Sequence, residues 1–266
     1  MSTKVSFGSY VAAESPVHKL DARMKLLIGV AFVVITLNAR TFAALVPVAL
    51  FVAAAYALAR IPVRKAARSL APLLFIVVVA SIMNLFTVQG GAIYVSIGFL
   101  QVSDEGVRAC ALIASRLLLM MCGMSLVTLT TMTLDLTEAF ERLLSPLARI
   151  GVPAHEIGMI MGIALRFMPQ FASELSTIRQ AQISRGAALA TSPVHGAQAL
   201  SALVIPLFTS VFRHAETLSE AMDARCYHGD AGRTRLHPLA FSHRDAIAAS
   251  VTAALAACVI AVDMLV

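Results

Sequence analysis

LAPLLFIVVVASIMNLFTV, residues 70–88, contains no charged side chain and follows a loop carrying Arg60, Arg64, Lys65 and Arg68. About 20 apolar residues suffice for a helix to cross the roughly 30 Å hydrocarbon core of a bilayer, so this stretch reads as a transmembrane helix. Working outward, similar blocks occupy residues 24–38, 42–59, 107–130 and 246–262. The first is short for a span, which leaves the expected count at five with an uncertainty of one. Composition agrees: 59% of the 266 residues are hydrophobic and 14% charged, with a mean hydropathy of +0.82. Soluble domains run at roughly 45–50% and roughly 25%. The expected fold is an all-α polytopic membrane protein. Residues 1–130 hold about four spans, residues 131–245 form a cytoplasmic region of amphipathic helices, and residues 246–266 form a final transmembrane helix. The first apolar block opens only after Asp21-Ala22-Arg23, so no cleaved signal peptide is expected.

Orientation follows from the basic residues of the short loops. Lys4, Lys19, Arg23 and Lys25 precede or open the first span, and the loop before residue 70 is basic, whereas residues 90–105 carry no Lys or Arg. The positive-inside rule then puts the N-terminus in the cytoplasm of a cell whose inner or plasma membrane holds the chain. The net charge of +6 is explained by that sidedness, since Trp is absent and no aromatic-studded basic stripe suggests nucleic acid. Membrane lipid is the expected surrounding.

Chemistry is sparse. Cys110, Cys122, Cys226 and Cys258 form no C-x-x-C pair and read as packing residues. No phosphate-binding G-x-x-x-x-G-K-[ST] loop occurs, so the chain is not expected to hydrolyse ATP. His155-Glu156 lacks a second His, and His228 sits in a turn with Gly229-Asp230, so neither reads as a metal ligand. No catalytic residue, metal or cofactor is expected. Arg116 lies inside a span and requires a partner there. Asp104-Glu105 reads as a solvated outer loop. A self-contained secondary transporter or channel, the alternative reading, would want intramembrane acid pairs and an inverted repeat, and neither is visible.

The cytoplasmic region carries the informative pattern. A helix over 133–147 is followed by a Gly151-Val152-Pro153 turn and two longer helices broken near residues 190–193, with Pro169 and Pro206 marking a kink or a first turn. Shifted by 40 residues, Met168, Phe171, Leu175, Ile178, Gln182 and Arg185 fall on Phe208, Val211, Ala215, Leu218, Met222 and Arg225. The 3-4-3-4-3 spacing places each set on one helix face, ending in an arginine. Two readings of these arginines stand side by side. They are helix-terminal cations favoured by the macrodipole, or they are forks presented to the carboxylates and carbonyls of a partner.

Several stretches resemble the transmembrane T components of energy-coupling factor (ECF) transporters. Residues 15–27 (SPVHKLDARMKLL) are similar to the start of that family's first span, and residues 130–139 (TTMTLDLTEA) to the start of its coupling region. Residues 164–169 (ALRFMP) and 205–208 (IPLF) match two further stretches. Ser184-Arg185-Gly186 and Ala224-Arg225-Cys226 match its paired X-Arg-X signatures, with Cys226 standing where the second signature often ends in Gly. The resemblance implies a non-catalytic subunit that joins two ATP-binding-cassette ATPases to a substrate-binding S component importing a vitamin or a metal ion, such as biotin, cobalt or nickel. It implies that Ser184, Arg185, Gly186, Ala224, Arg225 and Cys226 dock on the ATPases. Pro169, Pro206, Ile178, Leu218 and Met222 would supply the hinge and packing of the coupling helices.

Overall fold

Where three of the apolar blocks begin, short polar residues start the helices. The computed structural model describes residues 10–11, 13, 15–88, 90, 92–97, 100–186, 193–229 and 241–265. Its helices are α1 (Ala22–Asn38), α2 (Phe42–Ala59), α3 (Val63–Thr87), α4 (Asp104–Thr130), α5 (Thr133–Leu144), α6 (Ala154–Ser184), α7 (Pro193–Ala224) and α8 (His243–Leu265). A 3-10 turn over Ser145–Ile150 joins α5 to α6. Asp21, Thr41 and Ser103 cap α1, α2 and α4 by accepting from the N–H groups of Arg23, Ala44 and Gly106. Each oxygen satisfies one of the N–H groups that a helix start leaves open.

The chain divides into two units, with the boundary inside α5 between Ala139 and Phe140. The first, the membrane unit, holds α1–α4, the start of α5 and α8; the second holds α6, α7 and the segment leading into them from Phe140. In the membrane unit α2, α4, α8 and residues Leu70–Thr87 of α3 are long and apolar enough to cross a bilayer. At 17 residues, α1 rises only about 25 Å, a little less than the hydrocarbon thickness. It nevertheless packs against α4 and α8, and its Phe32 side chain reaches those of α2. Phe32 of α1 lies in a buried cluster with Leu45, Val48, Val52, Leu255 and Val259, its ring 5.8 Å from that of Phe51. α4 approaches Phe32 so closely that a Cβ on Gly123 would sit 2.2 Å from the ring. Leu73, Leu74, Phe75, Ile76, Val78 and Val79 of α3 are exposed, as befits a face whose solvent is lipid.

Two boundaries differ from the sequence reading. α3 begins at Val63, so Arg64, Lys65 and Arg68 ride on its first turns rather than in a loop. The outer segment is not plain loop: β1 (Ile93–Ile97) and β2 (Leu100–Ser103) pair antiparallel, with Ser96 opposite Gln101. Ser103, nearly fully buried, accepts from the N–H groups of Gly90 (3.2 Å) and Gly106 (3.1 Å), which pins the hairpin to α4. Asp104 and Glu105 therefore form the first turn of α4, where carboxylates suit the positive end of the helix dipole. Arg116 finds its partner in the main-chain carbonyl of Ala39, at the end of α1. At the far end of that connection the Asp263 carboxylate accepts from the N–H groups of Arg40 (2.9 Å) and Thr41 (3.2 Å) and from the Thr41 hydroxyl (2.8 Å).

The start of α1 is a polar knot. The buried Lys25 ammonium donates to the carbonyls of His18 and Thr130, each at 2.9 Å, tying the segment before α1 to the end of α4. Neutral His18 is satisfied at both ring nitrogens: Nε2–H donates to the Val11 carbonyl (3.0 Å), and Nδ1 accepts from the Ser15 hydroxyl (2.7 Å). Burial holds the His18 imidazole below its usual range, an effect that the nearby Lys25 charge reinforces and the bond to Val11 opposes.

Candidate functional site

α6 and α7 belong to one unit, and their contacts define a register. Gln170 meets His214 (3.2 Å), Glu174 accepts from the Ser210 hydroxyl, and Gln182 Nε2 donates to the Ala202 carbonyl (3.3 Å). Numbers rise on one helix as they fall on the other by the same steps, so the two run antiparallel. Glu174 also lies 3.6 Å from His214, whose ring packs 6.2 Å from those of Phe167 and Phe171. The predicted stripes turn partly into this seam: Phe171, Ile178 and Gln182 on α6 and Val211, Leu218 and Met222 on α7 are half-buried. Met168, Leu175 and Phe208, from the same stripes, stay exposed, beside Leu200, Ile205 and Phe212. Pro169 and Pro206 both lie inside their helices rather than in a first turn. Pro169 is exposed and Pro206 half-buried.

Both X-Arg-X tripeptides end their helices in the same way. Ser184 is the last residue of α6, Arg185 the C-cap, and Gly186 takes a left-handed conformation (φ 83°) with its N–H on the Ile183 carbonyl (2.9 Å). Ala224 is the last residue of α7 and Arg225 follows it. Cys226 then takes the left-handed conformation (φ 53°), with its N–H on the Asp223 carbonyl (2.9 Å). Tyr227 N–H reaches back to the Met222 carbonyl (3.1 Å), completing a Schellman cap. The Cys at the third position therefore leaves the backbone geometry of the signature intact, at the cost of a left-handed non-glycine residue.

All six tripeptide residues are exposed. Neither guanidinium makes a hydrogen bond or an ion pair among the described residues. Because the helices are antiparallel, Arg185 and Arg225 lie at opposite ends of the pair, on the order of 40 Å apart at 1.5 Å rise per residue.

Sequence reading missed the surroundings of the second cap. His155, read there only as no metal ligand, has Nδ1 3.1 Å from Glu141 Oε1 and Nε2 3.3 Å from the Tyr227 hydroxyl, which also lies 2.8 Å from Met159 Sδ. The register of α6 against α7 brings His155 to Tyr227 and the turn between α5 and α6 brings it to Glu141, and no local pattern announces either. The free thiols also differ from the expectation of packing: Cys110 and Cys122 are half-buried, but Cys226 and Cys258 are exposed. Among the described residues no three of His, Cys, Asp and Glu are grouped to hold a metal ion.

An all-α bundle with several bilayer-length helices, in a chain that also carries a long helix pair ending in exposed arginines, defines a polytopic membrane protein. Residues 13–236 match the cobalt transport protein (CbiQ) family, and the chain belongs to it. It is similar to the energy-coupling factor transporter transmembrane protein EcfT of Ruminiclostridium cellulolyticum, at 40% identity over 95% of this chain and 94% of that one. The protein of the same name from Brevibacillus brevis is 40% identical over 95% of this chain and 96% of its own length. That of Thermosediminibacter oceani is 39% identical over the same shares.

Proposed function

We propose that the chain is the coupling subunit of an ECF-type importer. In this reading α6 and α7 transmit the motion of two cytoplasmic ATPases to a membrane-embedded S component that carries a vitamin or metal ion. The observation that carries it is the placement of Arg185 and Arg225: exposed, without partners among the described residues, and at opposite ends of one antiparallel helix pair. A separation on the order of 40 Å suits two separate docking sites better than one. The guanidinium supplies five donors in a fixed plane, matched to carboxylates and main-chain carbonyls of a groove. The residue after each arginine is left-handed, and both arginines are exposed.

Closure of the ATPases on ATP would draw the two arginine-tipped ends together, and the pair would move as a lever. The exposed apolar side chains Met168, Leu175, Ile205, Phe208 and Phe212 supply a surface on which an S component could ride. The N-terminus and α6–α7 lie on the cytoplasmic side in this reading, supported by the basic residues at the start of α1 and α3.

Co-purification from membranes with the ATPase pair tests it. Wild type should retain the ATPases and stimulate their turnover. Loss of a desolvated interfacial charge costs about 2–5 kcal/mol, so Arg185→Ala and Arg225→Ala should each weaken retention at least tenfold. Retention equal to wild type in both variants would return the arginines to the role of ordinary helix caps.

A further inference from the structure

We propose that Glu141, His155 and Tyr227 are positioning residues for Arg225, holding the left-handed cap behind it and so setting the aim of the second arginine. The inference rests on the ATPase-docking reading of that arginine. It starts from a difference between two otherwise equal caps. Gly186 adopts its left-handed conformation without steric penalty, and a Cβ there would meet nothing within 4 Å. Cys226 adopts the same conformation against the penalty that any L side chain carries there, so the second cap needs support that the first does not.

Tyr227 supplies it. Its N–H closes the Schellman motif on Met222, and its half-buried side chain extends to α6, where the hydroxyl meets His155 and Met159. On the other side of the His155 ring, Nδ1–H donates to the Glu141 carboxylate at the end of α5. Glu141 is itself seated by Gly158: a Cβ at that position would fall 2.5 Å from Glu141 Cγ and 2.7 Å from its Cβ. The end of α5, through His155, and the start of α6 thus brace the one residue that follows the strained cap. A side-chain hydrogen bond with Tyr227 fixes χ angles and, through them, the backbone on which Arg225 stands. Arg185 has no counterpart to this anchor among the described residues.

The experiment uses the full chain with its ATPase pair. ATPase docking is measured for wild type, Arg225→Ala, Arg185→Ala, Tyr227→Phe, His155→Ala, Cys226→Gly and Tyr227→Phe with Cys226→Gly. Hydrogen exchange over residues 222–229 is read in parallel. Removing one hydrogen bond should shift the cap equilibrium about fivefold, so Tyr227→Phe should weaken docking by about that factor and raise exchange at the 226 and 227 amides. Adding Cys226→Gly should restore both, because the glycine cap no longer needs the anchor. The loss should be the same in an Arg185→Ala background and absent in an Arg225→Ala background. Docking of Tyr227→Phe and His155→Ala at the wild-type level, with Arg225→Ala impaired, overturns the proposal and leaves the docking reading intact. So does a Tyr227→Phe defect that Cys226→Gly fails to rescue, since that marks the cluster as packing alone. If Arg225→Ala docks like wild type, the docking reading fails, and the positioning role falls with it.

Discussion

The main-chain N–H of Asp21 donates to Asp245 Oδ1 at 2.9 Å, joining the start of α1 to the start of α8 across 224 residues. The same carboxylate accepts from Ser242 N–H at 2.7 Å, and both aspartates are buried. Asp21 in turn accepts from the N–H of Arg23 and from its guanidinium, which lies 4.4 Å over the ring of Phe241. The first and last membrane helices are thereby closed on each other by one carboxylate.

Asp245→Ala should therefore destabilise the membrane unit by about 1–3 kcal/mol, because it leaves the Asp21 N–H buried without an acceptor. Asp245→Asn keeps an amide oxygen for one of the two donors and should lose less. Thermal unfolding in detergent checks both. A midpoint unchanged in Asp245→Ala would mean that water replaces the carboxylate.

The knot around His18 predicts a pH dependence. Its folded pKa lies below the ordinary value of about 6.5, so the fold binds fewer protons than the unfolded chain as pH drops. The stabilisation is fully present above that value and is lost as pH falls through the folded pKa. Exchange protection of the Val11 amide, bonded to the Leu129 carbonyl, should decline as pH falls below about 6.5. His18→Gln should flatten that profile.

How far the sequence reads through to the structure depends on the range of the interactions. α2 runs from Phe42 to Ala59 as the hydropathy implied, because Thr41 caps it and Arg60 turns left-handed after it. The stripes ending in Arg185 and Arg225 were legible because helical periodicity is local. Hidden were features made by distant partners: the burial of Lys25 under Thr130, the antiparallel register of α6 and α7, and the meeting of His155 with Tyr227. The hairpin over residues 93–103 also escaped notice, its short strands lying in a segment with no charge until Asp104.

The two caps predict stability changes of opposite sign. Gly186→Ala places a side chain at φ 83° and should destabilise the end of α6 by about 1 kcal/mol, with no clash to add to it. Cys226→Gly relieves φ 53° and should stabilise the end of α7 by about as much, less the extra freedom glycine gives the unfolded chain. Local hydrogen exchange at the two helix ends distinguishes them. Equal and small effects at both sites would show that neither left-handed residue is strained.

Close packing of α1 on α4 gives another test. A Cβ on Gly123 would fall 2.2–2.9 Å from three atoms of the Phe32 ring, which is itself wedged against Phe51 and the α8 residues of the core. The buried ring borders a cavity of about 550 Å³ that Phe51 and Gly123 also line, so Gly123→Ala should cost about 1–3 kcal/mol as overpacking, less whatever the ring recovers by turning into that space. Phe32→Leu in the same chain should recover part of it by vacating the site. Their double-mutant cycle should show a coupling of about 0.5 kcal/mol or more, as expected of residues in contact.

Arg185 and Arg225 should behave in the opposite manner. Sites farther apart than about 7–10 Å without shared partners add within about 0.3–0.5 kcal/mol, and these two are separated by the length of the helix pair. If, as proposed, the two arginines dock on separate ATPases, then with isolated ATPase subunits that have not closed on ATP the losses of Arg185→Ala and Arg225→Ala should sum in the double variant. Once ATP joins the two ATPases into one body, the second contact becomes intramolecular, and losing either arginine should forfeit avidity as well as its own contact. The single variants should then lose more affinity with ATP than without it. Titration of the chain against the ATPases, with and without a non-hydrolysable nucleotide, separates the cases. Additivity in both conditions would mean that the two ends of the helix pair never engage the same closed assembly, and the lever mechanism would have to be abandoned.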